Sequence, residues 1–145
     1  MKITELQDEW QKDSNIDEFR LDTEALKSSQ LHAKYMRLLI DSKLKIVKLK
    51  QDYDNLRQTK FRWIQGKLTK EELLELGWEQ YQFNKPLKSE MDELLKGDTD
   101  LVSIMTKIDY ILTMLYMLEE IIKHIRDRGF SIKSAIQWKM FQAGN

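Results

Sequence analysis

The sequence contains no cysteine, a single proline and no run of glycines, and each shortage closes off a class of function. Without thiols there is no disulfide framework, no cysteine-ligated zinc and no thiol nucleophile, a pattern that fits a reducing interior. The five glycines stand singly, as Gly66, Gly77, Gly97, Gly129 and Gly144, so none belongs to the phosphate-cradling loop that nucleotide hydrolysis needs. No stretch approaches the ~20 consecutive apolar residues of a bilayer span. The most apolar part, Leu101 to Leu118, is interrupted by Lys107 and Asp109. The acidic start, with Glu5, Asp8 and Glu9, is unlike a secretory signal. A soluble, cytoplasmic protein with no membrane partner is expected.

What is present points to helices. A chain of 145 residues is the size of one ordinary domain. Its 41% hydrophobic and 33% charged residues suit long, surface-charged helices better than sheets or disorder, so the expected fold class is all-α. The formal net charge is zero, but the charges are segregated along the chain. Residues 1–24 hold three basic against eight acidic residues, and residues 43–62 seven basic against two acidic. Residues 71–100 hold three against nine, and residues 123–145 five against one. A polyanion can therefore be bound locally by a neutral whole.

Ile3, Leu6 and Trp10 recur at helical spacing behind a Thr4–Gln7 capping box, which predicts a short first helix ending near Ser14 and Asn15. A second helix starts at Asp22-Thr23 and meets no glycine or proline before Gly66, about 43 residues or roughly 65 Å of helix. It carries a partial heptad. Leu39, Ile46 and Tyr53 form one column, Tyr35, Leu49, Leu56 and Trp63 the other, with His32, Ser42 and Lys60 as interruptions. Such a seam needs a partner helix, from this chain or from another subunit. Thr69 and Glu72 predict a second capping box, opening a short helix that Gly77 ends. Trp78 to Lys85 reads as irregular, Pro86 as first-turn residue of a helix stopping at Gly97, and Asp98 as the cap of the strongest element. From Thr99 to Arg128 the apolar positions sweep one wide stripe. Lys123, His124, Arg126 and Arg128 crowd its last turns, Gly129 is expected to terminate it, and Ser131 to cap a separate final helix.

Catalytic sets are missing. His32 and His124 are far apart, and the Glu120–His124 spacing of four differs from the three that a di-iron helix motif uses. His124 reads as part of a cationic helix end and His32 as a polar interruption of the seam. Adjacent acids such as Glu71-Glu72 and Glu119-Glu120 point in different directions on a helix and cannot act as one pair. No enzyme activity, no metal site and no cofactor are expected.

The basic block 43–62 is more informative. Lys43, Lys50 and Arg57 are spaced by seven and form one helical stripe beside the apolar seam, with Lys60 and Arg62 close by. Phe61 and Trp63 follow within it, and aromatics among basic residues are what a sequence-tolerant single-strand binder uses to stack bases. Coiled coils also flank their seams with Lys and Arg, and Trp63 fits the heptad as a core residue. Both readings stand on the residues alone, with Phe61 the better candidate for an exposed stacker.

The run Arg128-Gly129-Phe130-Ser131-Ile132-Lys133, followed by Met140-Phe141-Gln142-Ala143-Gly144, resembles the C-terminal signature of the UvsY family of bacteriophage recombination mediators. Leu6-Gln7 with Glu9, Ile16-Asp17, Gly66 after the basic segment, and Leu95-Lys96 with Asp98-Thr99 and Leu101 fall in a similar order. The resemblance implies a protein that binds single-stranded DNA coated by a phage single-strand-binding protein and helps load a RecA-like phage recombinase, without hydrolysis, in the cytoplasm of an infected bacterial host. It also implies a homo-oligomeric ring of about six or seven identical subunits held through C-terminal helices. Lys60 matches a basic position in the family's DNA-binding segment. This chain departs from the pattern at Gln58, where the family has a second basic residue, and at Trp63-Ile64, where it has two tyrosines.

The expectation is therefore a long N-terminal helix with bundle packing in a DNA-binding domain of residues 1–129, and an oligomerisation helix at 130–145. DNA contacts fall to Lys43, Lys50, Arg57, Lys60, Phe61, Arg62 and Trp63. Assembly falls to the apolar Phe130, Ile132, Ile136, Met140 and Phe141, which could instead dock on their own chain. The alternative function is a helical scaffold or adaptor whose seam pairs with a different protein.

Overall fold

Helix-start and helix-stop chemistry sets the element order. The computed structural model describes residues 1–144. Its helices are α1 (Ile3–Asp13), α2 (Leu21–Ile64), α3 (Lys70–Leu76), α4 (Lys88–Lys96) and α5 (Thr99–Gln142), and no strand occurs among the described residues. Gly66 and Gly77 adopt φ of 72° and 69°, the left-handed conformation that ends α2 and α3 at little cost. The Thr69 hydroxyl accepts from the Glu72 backbone N–H at 3.1 Å, and Asp98 accepts from the Leu101 N–H at 3.1 Å, so both caps form as their sequences predict.

Three expectations about helix boundaries are corrected. The first helix is capped not by Thr4–Gln7 but two residues earlier, where the Glu5 carboxylate accepts from the Lys2 N–H at 3.0 Å. Pro86 lies two residues before α4, because Leu87 is extended, with ψ of 154°, and serves as the cap residue. Most consequentially, Gly129 does not terminate α5. Its φ is not positive, and the helix runs unbroken for 44 residues. One interior glycine costs only about 1 kcal/mol relative to alanine. Arg128 and Ile132, one turn apart across Gly129, are both buried and hold the helix through it.

The chain forms two compact units. The first comprises residues 1–44 together with residues 112 onward. Its core joins Leu6 of α1, Tyr35 and Leu39 of α2, and Met114, Leu118, Ile121, Ile122 and Ile125 of α5. Here the α2 seam is closed by α5 of the same chain, and a different protein is not needed to cover it. Each fully buried Leu or Ile contributes roughly 1.5–3 kcal/mol. Tyr35 is held at both ends. Trp10 meets its ring edge-on at 5.4 Å, and its hydroxyl donates to Asp13 at 2.8 Å. Lys34 bridges Asp13 and Glu9 at 2.6 and 2.7 Å.

Arg128, expected at a cationic helix end, is instead buried in this unit. Its guanidinium pairs with the Glu24 carboxylate and also donates to the Glu24 carbonyl at 3.1 Å and to the Ser28 hydroxyl at 3.3 Å. Further along α5, Ile132 is 2% exposed and Lys139 donates to the Glu18 carbonyl. Ile125, Arg128, Ile132 and Lys139 thus form the docked face of the C-terminal segment.

The second unit comprises residues 45–111. Ile64, Met91, Leu95 and Leu101 form its core, with Tyr53, Leu56, Phe61, Trp63 and Tyr81 packed against it. Ile46 and Ile108 are buried as well. A stretch of α5 is long and apolar enough to meet the length and composition of a membrane span, contrary to the reading from apolar runs. Within that helix Leu101 and Ile108 are buried in the second unit and Met114 and Leu118 in the first, while Val102, Leu112 and Tyr116 are exposed.

Candidate nucleic-acid interface

The basic end of α2 divides into free and neutralised cations. Lys43, in the first unit, and Lys50, in the second, are exposed, and among the described residues neither side chain has an ion pair or hydrogen bond. Lys48 is tied to Asp52 at 2.9 Å. The next three basic residues each find an acid from the 71–100 block. Arg57 pairs with Asp92 at 2.9 Å, and Arg62 with Glu72 at 3.1 Å. Lys60 sits between Asp98 at 3.1 Å and Asp100 at 2.8 Å.

Lys60 is the most enclosed of these, 7% exposed, with its ammonium over the rings of Trp78 and Trp63 at 4.7 and 5.5 Å from their centroids. Burial pulls its pKa down, but the hydrogen bonds it donates to Asp100 and Asp98 outweigh that and leave it above the ordinary lysine value. It stays charged, and its charge is spent inside the protein. The Arg62 guanidinium likewise holds the Glu72 carboxyl below its ordinary range.

Trp63 is half-buried and fixed. Its indole N–H donates to the Glu79 carbonyl at 2.7 Å, and Trp78 and Tyr81 pack around it with centroids at 5.5 and 5.1 Å. Tyr81 meets Phe83 at 5.5 Å, and Phe83 is 78% exposed. A hollow of about 580 Å³ opens between Trp63, Tyr81, Phe83 and Leu94. Phe61 is half-buried on another side of the helix, where it lines a separate groove of about 280 Å³ together with Gln65, Lys67, Lys85, Lys88 and Asp92. These three lysines were not among the sequence candidates. The available signal was Lys67 directly after the helix-ending glycine and the pair Lys85 and Lys88 flanking Pro86. The structure therefore brings Arg57, Lys60, Phe61, Arg62 and Trp63 into one unit but leaves none of the three cations among them unpaired.

The residues assigned to assembly also separate. Ile132 faces its own chain's interior, whereas Phe130, Met140 and Phe141 are 74%, 52% and 70% exposed and Ile136 is 38% exposed. Trp138 stacks on Phe141 at 5.6 Å and is itself mostly exposed. One helix segment thus docks by one face and offers an apolar face outward.

Among the described residues no cluster of His, Cys, Asp and Glu is arranged to hold a metal ion. Comparison with known proteins gives a consistent result. The chain is 25% identical over 144 residues to the recombination protein uvsY of Enterobacteria phage T4, covering 99% of both chains. It superposes on crystal structures of the bacteriophage T4 recombination mediator protein UvsY with a TM-score of 0.84. One is 24% identical, covering 99% of this chain and 98% of that one, and a second is 22% identical, covering 97% and 99%. Residues 9–145 match the family described as recombination, repair and ssDNA binding protein UvsY, and the chain belongs to that family.

Proposed function

We propose that this protein is a recombination mediator. It binds single-stranded DNA in the cytoplasm of an infected bacterial host and promotes loading of a RecA-like phage recombinase onto strands coated by single-strand-binding protein. The family match over residues 9–145 carries this reading. The exposed, unpartnered Lys43 and Lys50 on α2 supply the local positive charge that it needs.

The mechanism follows from weak single contacts. A subunit with few free cations binds a phosphate backbone feebly and loses affinity steeply with salt. Self-association into a ring through the outward face of Phe130, Ile136, Met140 and Phe141 makes each further contact intramolecular, and avidity then exceeds single-site affinity by roughly 10² to 10⁴. A strand led along several subunits is bent away from its coat protein and held open for the recombinase. No step requires hydrolysis or a cofactor. Closure of the α2 seam within the first unit removes the docking surface that a scaffold or adaptor would use there.

The test measures oligo(dT) affinity over a salt series and recombinase filament formation on coated strands. A strong negative salt slope with accelerated loading supports the reading. Absence of binding at low salt overturns it.

A further inference from the structure

Three cations in the second unit have no internal work to do. Lys67, Lys85 and Lys88 line the same groove of about 280 Å³ beside Phe61 and Gln65, and all three are exposed. Among the described residues no ion pair or hydrogen bond engages their side chains, in contrast to Arg57, Lys60 and Arg62 on the same unit. Asp92 is the one acid among the groove's described lining residues, and Arg57 already holds its carboxylate. The groove thus keeps an uncompensated charge of about three, next to a half-buried aromatic ring.

The backbone builds this arrangement locally. Gly66 turns the chain out of α2 with φ of 72°, so that Lys67 leaves the helix at once. The irregular segment before α4 returns across that turn. A Cβ at position 66 would meet Lys85 Cε only at ordinary contact distance, 4.0 Å, which places the lysine beside the turn; the positive φ, not space, is what calls for glycine. Lys88 opens α4 on the far side of Pro86. Residues distant in sequence are brought to one rim by these turns.

We propose that this groove, rather than the paired cations of α2, is the second unit's principal contact with single-stranded DNA, with one base against Phe61 and flanking phosphates on Lys67, Lys85 and Lys88. The assignment rests on the single-strand-binding reading and deepens it. Charge complementarity selects a polyanion, and the aromatic ring selects one that carries flat apolar groups, because base–aromatic stacking tolerates any sequence. Gln65 offers amide donor and acceptor atoms at the base edge without imposing a sequence.

The test compares a short oligo(dT) with a polyglutamate peptide as ligands, over a salt series, for the full chain and two variants. Lys67→Gln/Lys85→Gln/Lys88→Gln removes only exposed, unpartnered charges, and an unchanged circular dichroism spectrum checks its fold. Each single-strand phosphate contact contributes about 0.7 to the log–log salt slope, so this variant should bind oligo(dT) with a slope shallower by about 2 per subunit engaged. Phe61→Leu keeps apolar packing while removing the ring, and should weaken binding by about 5- to 150-fold with the slope unchanged. If the full chain binds oligo(dT) and the lysine variant matches it in affinity and slope, the groove assignment falls while the single-strand-binding reading stands. If the full chain does not bind at all, the underlying reading itself falls. Retained oligo(dT) binding with lost polyglutamate binding overturns the proposal in favour of an acidic polypeptide.

Discussion

The charged residues of α2 and α5 show that counting basic side chains along a segment misjudges what they can offer a ligand. Lys60 occupies a heptad position, matches a basic position of the family and carries a full charge, yet its ammonium is enclosed by Asp98, Asp100 and two indoles. A phosphate would have to displace a carboxylate to reach it, whereas Lys50 is open. Arg128 is a sharper case. Pairing with Glu24 satisfies both groups only while both are ionised, and removing one partner of a buried pair costs about 3–5 kcal/mol. Glu24→Gln should therefore lower the unfolding midpoint substantially, as read by thermal denaturation, while Glu119→Gln on α5 serves as a near-neutral control. The pH dependence has a definite sign. Burial alone would raise the Glu24 pKa, but hydrogen bonds from Arg128 and Lys27 outweigh it and leave the carboxyl below its ordinary value. A depressed folded pKa gives stability that is fully present above the unfolded value, about 4.3, and is lost as pH falls through the folded one. Urea midpoints of the wild type should fall below that pH, and those of Glu24→Gln should fall less steeply.

At the scale of elements, the punctuation that depends on neighbouring residues was legible and the punctuation that depends on distant ones was not. Gly66, Gly77, Thr69 with Glu72, and Asp98 act through bonds closed within one turn, and their roles follow from local spacing. Gly129 looks locally like a helix stop, with cations before it and Ser131 after it, but its helical conformation is decided by residues packed from far along the chain. Arg128 reaches Glu24 and Ser28 near the start of α2. The candidate site divides the same way. The stripe of Lys43, Lys50 and Arg57 follows from a period of seven, but the acids that neutralise Arg57, Lys60 and Arg62 come from other elements, and so do Lys85 and Lys88. Continuity of α5 has a simple test. Nothing lies within 4 Å of a Cβ built at Gly129, and its φ is not positive. Gly129→Ala should stabilise the protein by about 0.5–1 kcal/mol, measured by urea denaturation. A destabilised variant would mean that the helix is broken there.

At the scale of the whole molecule, the C-terminal segment of α5 ties the fold's stability to the proposed assembly face. Its inward residues, Ile132 and Lys139, fasten it to the first unit, so deleting the segment would damage the fold along with any interface. Its outward residues, Phe130, Met140 and Phe141, are exposed large apolar groups, and burying such a face against a second copy is the ordinary way to satisfy it. Phe130→Glu/Phe141→Glu alters the outward face and leaves the docked face intact. The decisive measurement is the solution mass of this variant and of the wild type at micromolar concentration, with oligo(dT) affinity taken on the same samples. The account predicts a wild-type oligomer that binds tightly, and a folded monomeric variant whose affinity is lower by roughly 10² or more although every basic residue is present. A wild-type monomer, or a monomeric variant that binds as tightly as the wild type, would contradict it.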